Sequence, residues 1–281
     1  MGKLLKYEFK KASSYFLYLI VGGFIASCLL ILGIKSFTGD NLEPGLNTVN
    51  DNGLIFPITM IVSVIIATAI LICFIFYVVS NYKRDLYNNQ SLLKFTLPID
   101  GKDFLNSKLI NIIIWTIILN VTITAGFYFF SKFLIPNIHE AVIKSISMAL
   151  TNTEINISHV IIIAVIQFLQ SIFSFVLLYF SITFTKAVFK NSNSGILWLL
   201  VYLAFSIAHS IASYFINLMV PYRVEFFKRI ELVERSFDMF AQGPPQDMFL
   251  SFNLAAAVLF TVLCIVYYFL TRYMLDNKVD L

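Results

Sequence analysis

Cys28, Cys73, Cys264, His159 and His209 are the side chains in this sequence best suited to act as metal ligands, nucleophiles or bases. Their positions give them no company. The cysteines lie tens of residues apart, without the paired spacing of a zinc site or a plausible disulfide framework. All three fall in apolar stretches, where a free thiol packs as a small hydrophobe. His209 stands in another apolar stretch, and His159 at the border of one. No Gly-x-x-x-x-Gly-Lys-Ser/Thr run is present to cradle phosphates, and no Gly-x-Ser-x-Gly or His-Glu-x-x-His motif occurs. The chain is therefore read as carrying no catalytic residue, no metal site and no cofactor of its own.

The elements that would hold these residues are apolar to an unusual degree. Of the 281 residues 59% are hydrophobic and 13% charged, against about 25% charged in a soluble domain. Mean hydropathy is +0.83. Stretches free of Asp, Glu, Lys and Arg run 12–34, 52–82, 109–131, 155–185, 191–222 and 248–271. Each reaches the ~20 residues that a helix needs to cross the hydrocarbon core. Transmembrane strands are shorter and alternate in polarity. The expected fold is thus an all-α integral membrane protein. It would be one transmembrane domain over 1–281, with spans at about 14–34, 54–80, 108–131, 157–185, 194–220 and 250–271. The first is too long for the apolar region of a cleavable signal. Charge-free spans offer no relay of carboxylates, which argues against transport driven by an ion gradient.

The distribution of charge sets orientation. With the N-terminus inside, the inner segments are 1–11, 83–108, 186–190 and 272–281. They hold 13 of the 20 basic and 6 of the 16 acidic residues, a net +7. The outer segments hold 7 basic and 10 acidic residues, a net −3. Basic residues collect on the cytoplasmic side, so both termini are expected in the cytoplasm. The overall charge of +4 reads as a topology signal rather than a sign of nucleic-acid binding. In MGKLLKYEFKKASSYF, Leu5, Phe9, Ala12 and Phe16 fall at helical spacing, with Lys3, Lys6, Lys10 and Lys11 off that stripe. Two readings fit: an N-terminal helix lying in the lipid interface, or plain positive-inside anchoring.

A polar island, LLKFTLPIDGKDFLNSK (92–108), separates the second and third spans. Leu86, Gln90, Leu93 and Leu97 are spaced for a short amphipathic helix, and Pro98 stops it. Asp100 can cap a second helix, and Asp103 favours the positive end of its dipole. Such a helix could rest on lipid or be offered to a cytoplasmic partner.

The run SLLKFTLPIDGKDFLNSKLI (91–110) resembles a stretch of bacterial ABC transporter permeases of the type-2 exporter class. There a Gly-Tyr-Leu-Thr-x-Thr-Leu-Pro-Val-Ser segment precedes a Ser-Lys pair that opens the third span. The matching positions are Leu93, Phe95, Thr96, Leu97, Pro98, Ile99, Ser107 and Lys108. Ser91 and Leu92 replace the Gly-Tyr pair, Lys94 replaces a Thr, and Asp100 replaces the capping Ser. The resemblance implies a permease subunit whose inner loop is a coupling helix seated on a separate ATP-hydrolysing subunit. Leu86, Tyr87, Gln90, Leu93, Phe95 and Leu97 would make that contact. ATP and Mg would bind the partner, not this chain. A second copy or a related permease would complete a dimer in the bacterial plasma membrane. By the same likeness the second and fifth spans line the transport path. That points to Phe74, Phe76, Tyr77, Tyr202, Phe205 and His209 as contacts for an amphipathic or apolar substrate, such as a peptide or peptide antibiotic. The alternatives are a membrane-embedded enzyme and a non-transporting sensor or assembly factor.

Two expectations concern the remaining polar residues. Ser, Thr, Asn and Gln within the spans are read as hydrogen-bonding glue between helices. In 221–247, Phe227, Ile230, Val233 (or Glu234), Phe237 and Phe240 fit a helical stripe. That predicts an amphipathic outer-leaflet helix ended by Gly243, Pro244 and Pro245.

Overall fold

A computed structural model describes residues 2–38, 55–87, 100–136, 139–140, 157–189, 196–220, 222–226, 230–234 and 251–277. Six long helices dominate: α1 (Gly2–Thr38), α2 (Ile55–Tyr87), α3 (Gly101–Leu134), α4 (Ile157–Val188), α5 (Leu197–Met219) and α6 (Leu254–Asn277). All six are long and apolar enough to cross a membrane. At 1.5 Å per residue the 23 residues of α5 extend about 35 Å and the 37 of α1 about 55 Å. The hydrocarbon core is about 30 Å thick, so α1 is longer than a crossing needs. Its first turns carry the lysines, and the helix runs unbroken from them into the span.

The chain divides into two compact units. The first comprises Met1–Tyr82 and Asn106–Ser147, the second Lys83–Leu105 and Met148–Leu281. In the first, Phe9 and Phe16 of α1 both stack on Trp115 of α3, at 4.7 and 4.6 Å between ring centroids. Tyr15 stacks on Tyr77 of α2 and donates its hydroxyl to the carbonyl of Cys73 at 2.7 Å. Lipid tails are as apolar as leucine, so close packing and hydrogen bonds, not apolar burial, hold such helices together. Two glycines permit the close packing. A Cβ on Gly23 would come within 2.7 Å of the Ile123 side chain, and one on Gly126 within 2.6 Å of the Phe24 ring.

The second unit is built on α4. Phe173, Leu177 and Phe180 are buried there against Tyr202 and Phe205 of α5 and Phe260, Leu263, Cys264 and Tyr267 of α6. The rings meet edge-on or tilted, as with Phe180 and Phe205 at 5.2 Å and Phe180 and Tyr267 at 4.8 Å.

Between α5 and α6 the chain departs from the expected helix. It forms β1 (Tyr222–Phe226), β2 (Ile230–Glu234) and β3 (Ser251–Asn253), an antiparallel sheet in the order β2-β1-β3. The register sets Val224 opposite Leu232 and Phe252. The predicted helix over 221–247 is thus wrong at 222–226 and 230–234, while 235–250 lie outside the described residues. Tyr-Arg-Val-Glu-Phe alternates apolar and charged residues, the period of a strand, and three of its five residues are aromatic or β-branched. The helical stripe from Phe227 onward ran across the connection between the strands. Asn253 then ends β3 and caps α6. Its Oδ1 accepts from the N–H groups of Ala255 and Ala256 at 2.9 and 3.3 Å, and its Nδ2 donates to the Val220 carbonyl at 2.7 Å. One side chain therefore joins the end of α5 to the start of α6.

The expected glue between helices takes a different form at several positions. Thr116, Asn120 and Thr122 on α3 and Ser171 and Ser174 on α4 donate to carbonyls four residues earlier in their own helices. A hydroxyl one turn above an i−4 carbonyl satisfies itself locally without a partner helix.

Candidate functional site

Glu8 is the single acid among four lysines in the first eleven residues. It shares a face of α1 with Ala12 and Phe16, and all three are buried. Lys108 lies on the face of α3 that continues through Asn111 and Trp115, positions three and seven residues on. Lys108 Nζ donates to Glu8 Oε2 at 2.8 Å, and Asn81 Nδ2 of α2 donates to the same oxygen at 3.3 Å. Both charged side chains are 1% exposed. Burying two ions carries several kcal/mol of desolvation each, recovered only when the geometry is good and further hydrogen bonds help. The pair meets that condition with Asn81. It ties the start of α3 to α1 and α2, at the last residue of the polar island. Asn111, wholly buried one turn farther along, has no partner for either amide atom among the described residues. The charge pair escaped sequence reasoning because its members are 100 residues apart. The one available signal was an acid on the apolar side of a lysine-rich helix.

Of the residues expected to touch an ATPase, Leu86 and Tyr87 lie at the end of α2. Leu86 is buried at 1% exposure. Tyr87 ends the helix, with Lys186 Nζ 4.7 Å and Lys83 Nζ 5.8 Å from its ring centroid. Gln90, Leu93, Phe95 and Leu97 lie outside the described residues. Beyond them α3 starts at Gly101. The Asp100 carbonyl accepts from Asp103 N–H at 2.9 Å and Phe104 N–H at 3.1 Å, which puts Asp100 at the residue before the first turn.

Residues expected along a transport path fall into separate groups. Phe74 and Tyr77 pack edge-on against Phe16 in the first unit. Phe76, on the same helix, is 69% exposed. Tyr202 and Phe205 pack on the α4 core of the second unit. His209 lies 4.8 Å from the Phe173 ring and 4.2 Å from that of Phe260, with Ser213 Oγ 3.5 Å from its Nε2.

Phe74 also lines a cavity of about 550 Å³ in the first unit, with Ile70, Leu119 and Ile123 among its walls. Ser27, Ser63, Thr116 and Asn120 lie on it too, and each donates to a carbonyl of its own helix. The surface they leave to a guest is chiefly hydrocarbon. Its size is that of a small-molecule site. Cys28 and Cys264 are half-buried, Cys73 is exposed, and all three are free thiols. No group of three or more His, Cys, Asp or Glu side chains converges among the described residues. No protein-family model, no curated protein and no solved structure matches this chain.

Proposed function

We propose that this chain is the membrane-spanning permease subunit of an ATP-driven exporter of the type-2 ABC class. It sits in a bacterial plasma membrane with both termini in the cytoplasm. The observation that carries the reading is the 91–110 run, with its Thr-Leu-Pro segment and the Ser107–Lys108 pair that follows. The buried bond from Lys108 to Glu8 supports it: a loop that must transmit force needs a firm mount where it enters the bundle. ATP and Mg belong to a separate subunit, because this chain has no phosphate-binding loop. A second copy or a related permease would complete the transport path. The apolar wall of the first-unit cavity and the charge-free spans favour an amphipathic or apolar cargo over a small ion.

The test is affinity capture of the full chain from its native membrane under mild detergent. A nucleotide-binding subunit should be captured with it, and that complex should hydrolyse ATP, while the chain stripped of the subunit should not. ATP turnover by a rigorously ATPase-free preparation would overturn the proposal, as would repeated capture of an intact assembly that lacks any nucleotide-binding subunit.

A further inference from the structure

Tyr87 and Gly101, described residues on either side of the connection 88–99, are each contacted by the C-terminal turn of a helix in the second unit. At the entrance of this connection stands Tyr87, with Lys186 from the last turn of α4 4.7 Å from its ring centroid. At its exit stands Gly101, the first residue of α3. The Gly101 N–H donates to Oδ1 of Asp276 at 2.8 Å, and Asp276 is the penultimate residue of α6. The first N–H groups of a helix have no partner within it; an N-cap side chain takes that of the second or third residue, and the first N–H needs another acceptor. Here it comes from 175 residues away. Gly101 is shaped to this contact. A Cβ there would run into Asp276 Oδ1 and approach Leu275 Cβ to 3.0 Å. Arg272, one turn earlier on α6, holds the other carboxylate oxygen, with Nε 3.6 Å from Asp276 Oδ2. The compact unit that contains α4, α5 and α6 also takes in Lys83–Leu105.

We infer that Asp276 is a positioning residue for the inner connection. By accepting the Gly101 N–H, with Lys186 set over Tyr87, it makes Gly101 and Tyr87, the residues that bound the connection, travel with the C-terminal ends of α6 and α4. The contact stands on geometry alone; its consequence for transport rests on the exporter reading. In an exporter, a push on 88–99 would reach α4 and α6 through these two contacts, in addition to α2 and α3 through the chain.

The experiment uses the full-length chain in lipid nanodiscs, with and without its ATPase subunit. Hydrogen exchange is read at Gly101–Phe104, and transported substrate is counted per ATP consumed. Asp276→Ala should speed exchange at these amides about fivefold, the size of one lost cap, and should lower transport per ATP by a similar factor while the ATPase stays bound. Asp276→Asn keeps an oxygen that can accept the Gly101 N–H, and should restore both readings. Should Asp276→Ala fail to accumulate in the membrane, Arg272→Gln frees the carboxylate to turn and should raise exchange by a smaller factor. Unchanged exchange in Asp276→Ala, or in Arg272→Gln where that variant stands in, would overturn the inference. So would faster exchange with unaltered transport per ATP, or Asp276→Asn behaving as Asp276→Ala. A wild-type chain that recruits no ATPase would sink the exporter reading instead, while the exchange comparison still decides whether Asp276 holds the connection.

Discussion

Glu8 and Lys108 show how much of this protein is decided by single side chains. Neither charge would be tolerated in so dry a setting without compensation, and the bond between them, with Asn81 beside it, offsets the desolvation of each. Their contribution is therefore best seen as a difference between variants. Glu8→Ala removes the carboxylate to which Lys108 donates and should destabilise the protein by about 3–5 kcal/mol. In thermal unfolding of the purified chain that is a fall of about 10 °C. The double variant Glu8→Leu/Lys108→Met removes both penalties together and should lose much less. A Glu8→Ala protein that melts within 2 °C of the wild type, taken as roughly the smallest meaningful shift, would mean that the pair contributes nothing. Asn81 should matter less than either ion, since its contact with Glu8 is the longer one, at 3.3 Å.

Among the elements, the turn from α5 to α6 and the inner connection make different demands. The first relies on Asn253, whose amide caps α6 and reaches back to Val220. Asn253→Ala should cost about 1 kcal/mol, the usual value of an N-cap, and Asn253→Asp should recover the cap while losing the bond to Val220. Unfolding midpoints in detergent for the three proteins would order them wild type, Asp, Ala. An Ala variant as stable as the wild type would remove the cap from the account. On the exporter proposal, the connection between α2 and α3 makes its demand on an ATPase partner. If Leu93 is one of the apolar anchors in an ATPase cleft, Leu93→Asp buries an unpaired charge in that contact and should abolish subunit capture or stop efflux. Lys94→Glu, on the polar side of the stripe, should do far less. Normal efflux with Leu93→Asp would leave the segment as an interfacial helix resting on lipid.

For the whole molecule, large apolar side chains are exposed along every one of the six spanning helices, among them Leu17, Ile61, Val121, Leu169, Phe215 and Val262. A soluble protein seldom exposes large contiguous apolar patches; a bilayer removes the objection. The orientation proposed from the charge split, +7 on one set of segments against −3 on the other, can be checked directly. In a variant with Cys28, Cys73 and Cys264 replaced, a cysteine placed at Asn41 or Gln246 should react with an impermeant thiol reagent on intact cells. One at Asn89 or Asn193 should react only after permeabilisation. Labelling of Asn89 on intact cells would invert the topology.

The sequence by itself determined the six spans, because the free energy of leaving water is a sum over neighbouring residues and each apolar stretch carries its own total. It also determined where α3 starts, since Asp100 and the turn after it are local chemistry. Only the tertiary structure decided that Lys108 meets Glu8, that Asp276 accepts the Gly101 N–H, and that Thr116 and Ser171 turn to their own helices instead of to neighbours. It also decided that 222–226 and 230–234 pair as strands, where the spacing of Phe227, Ile230 and Val233 suited a helix equally well. The pairing of β1 with β3, a buried charge pair and a cap supplied from another helix each depend on a partner far along the chain. No window of neighbouring residues contains both halves of such a contact, so its energy cannot be read until the chain has folded back on itself.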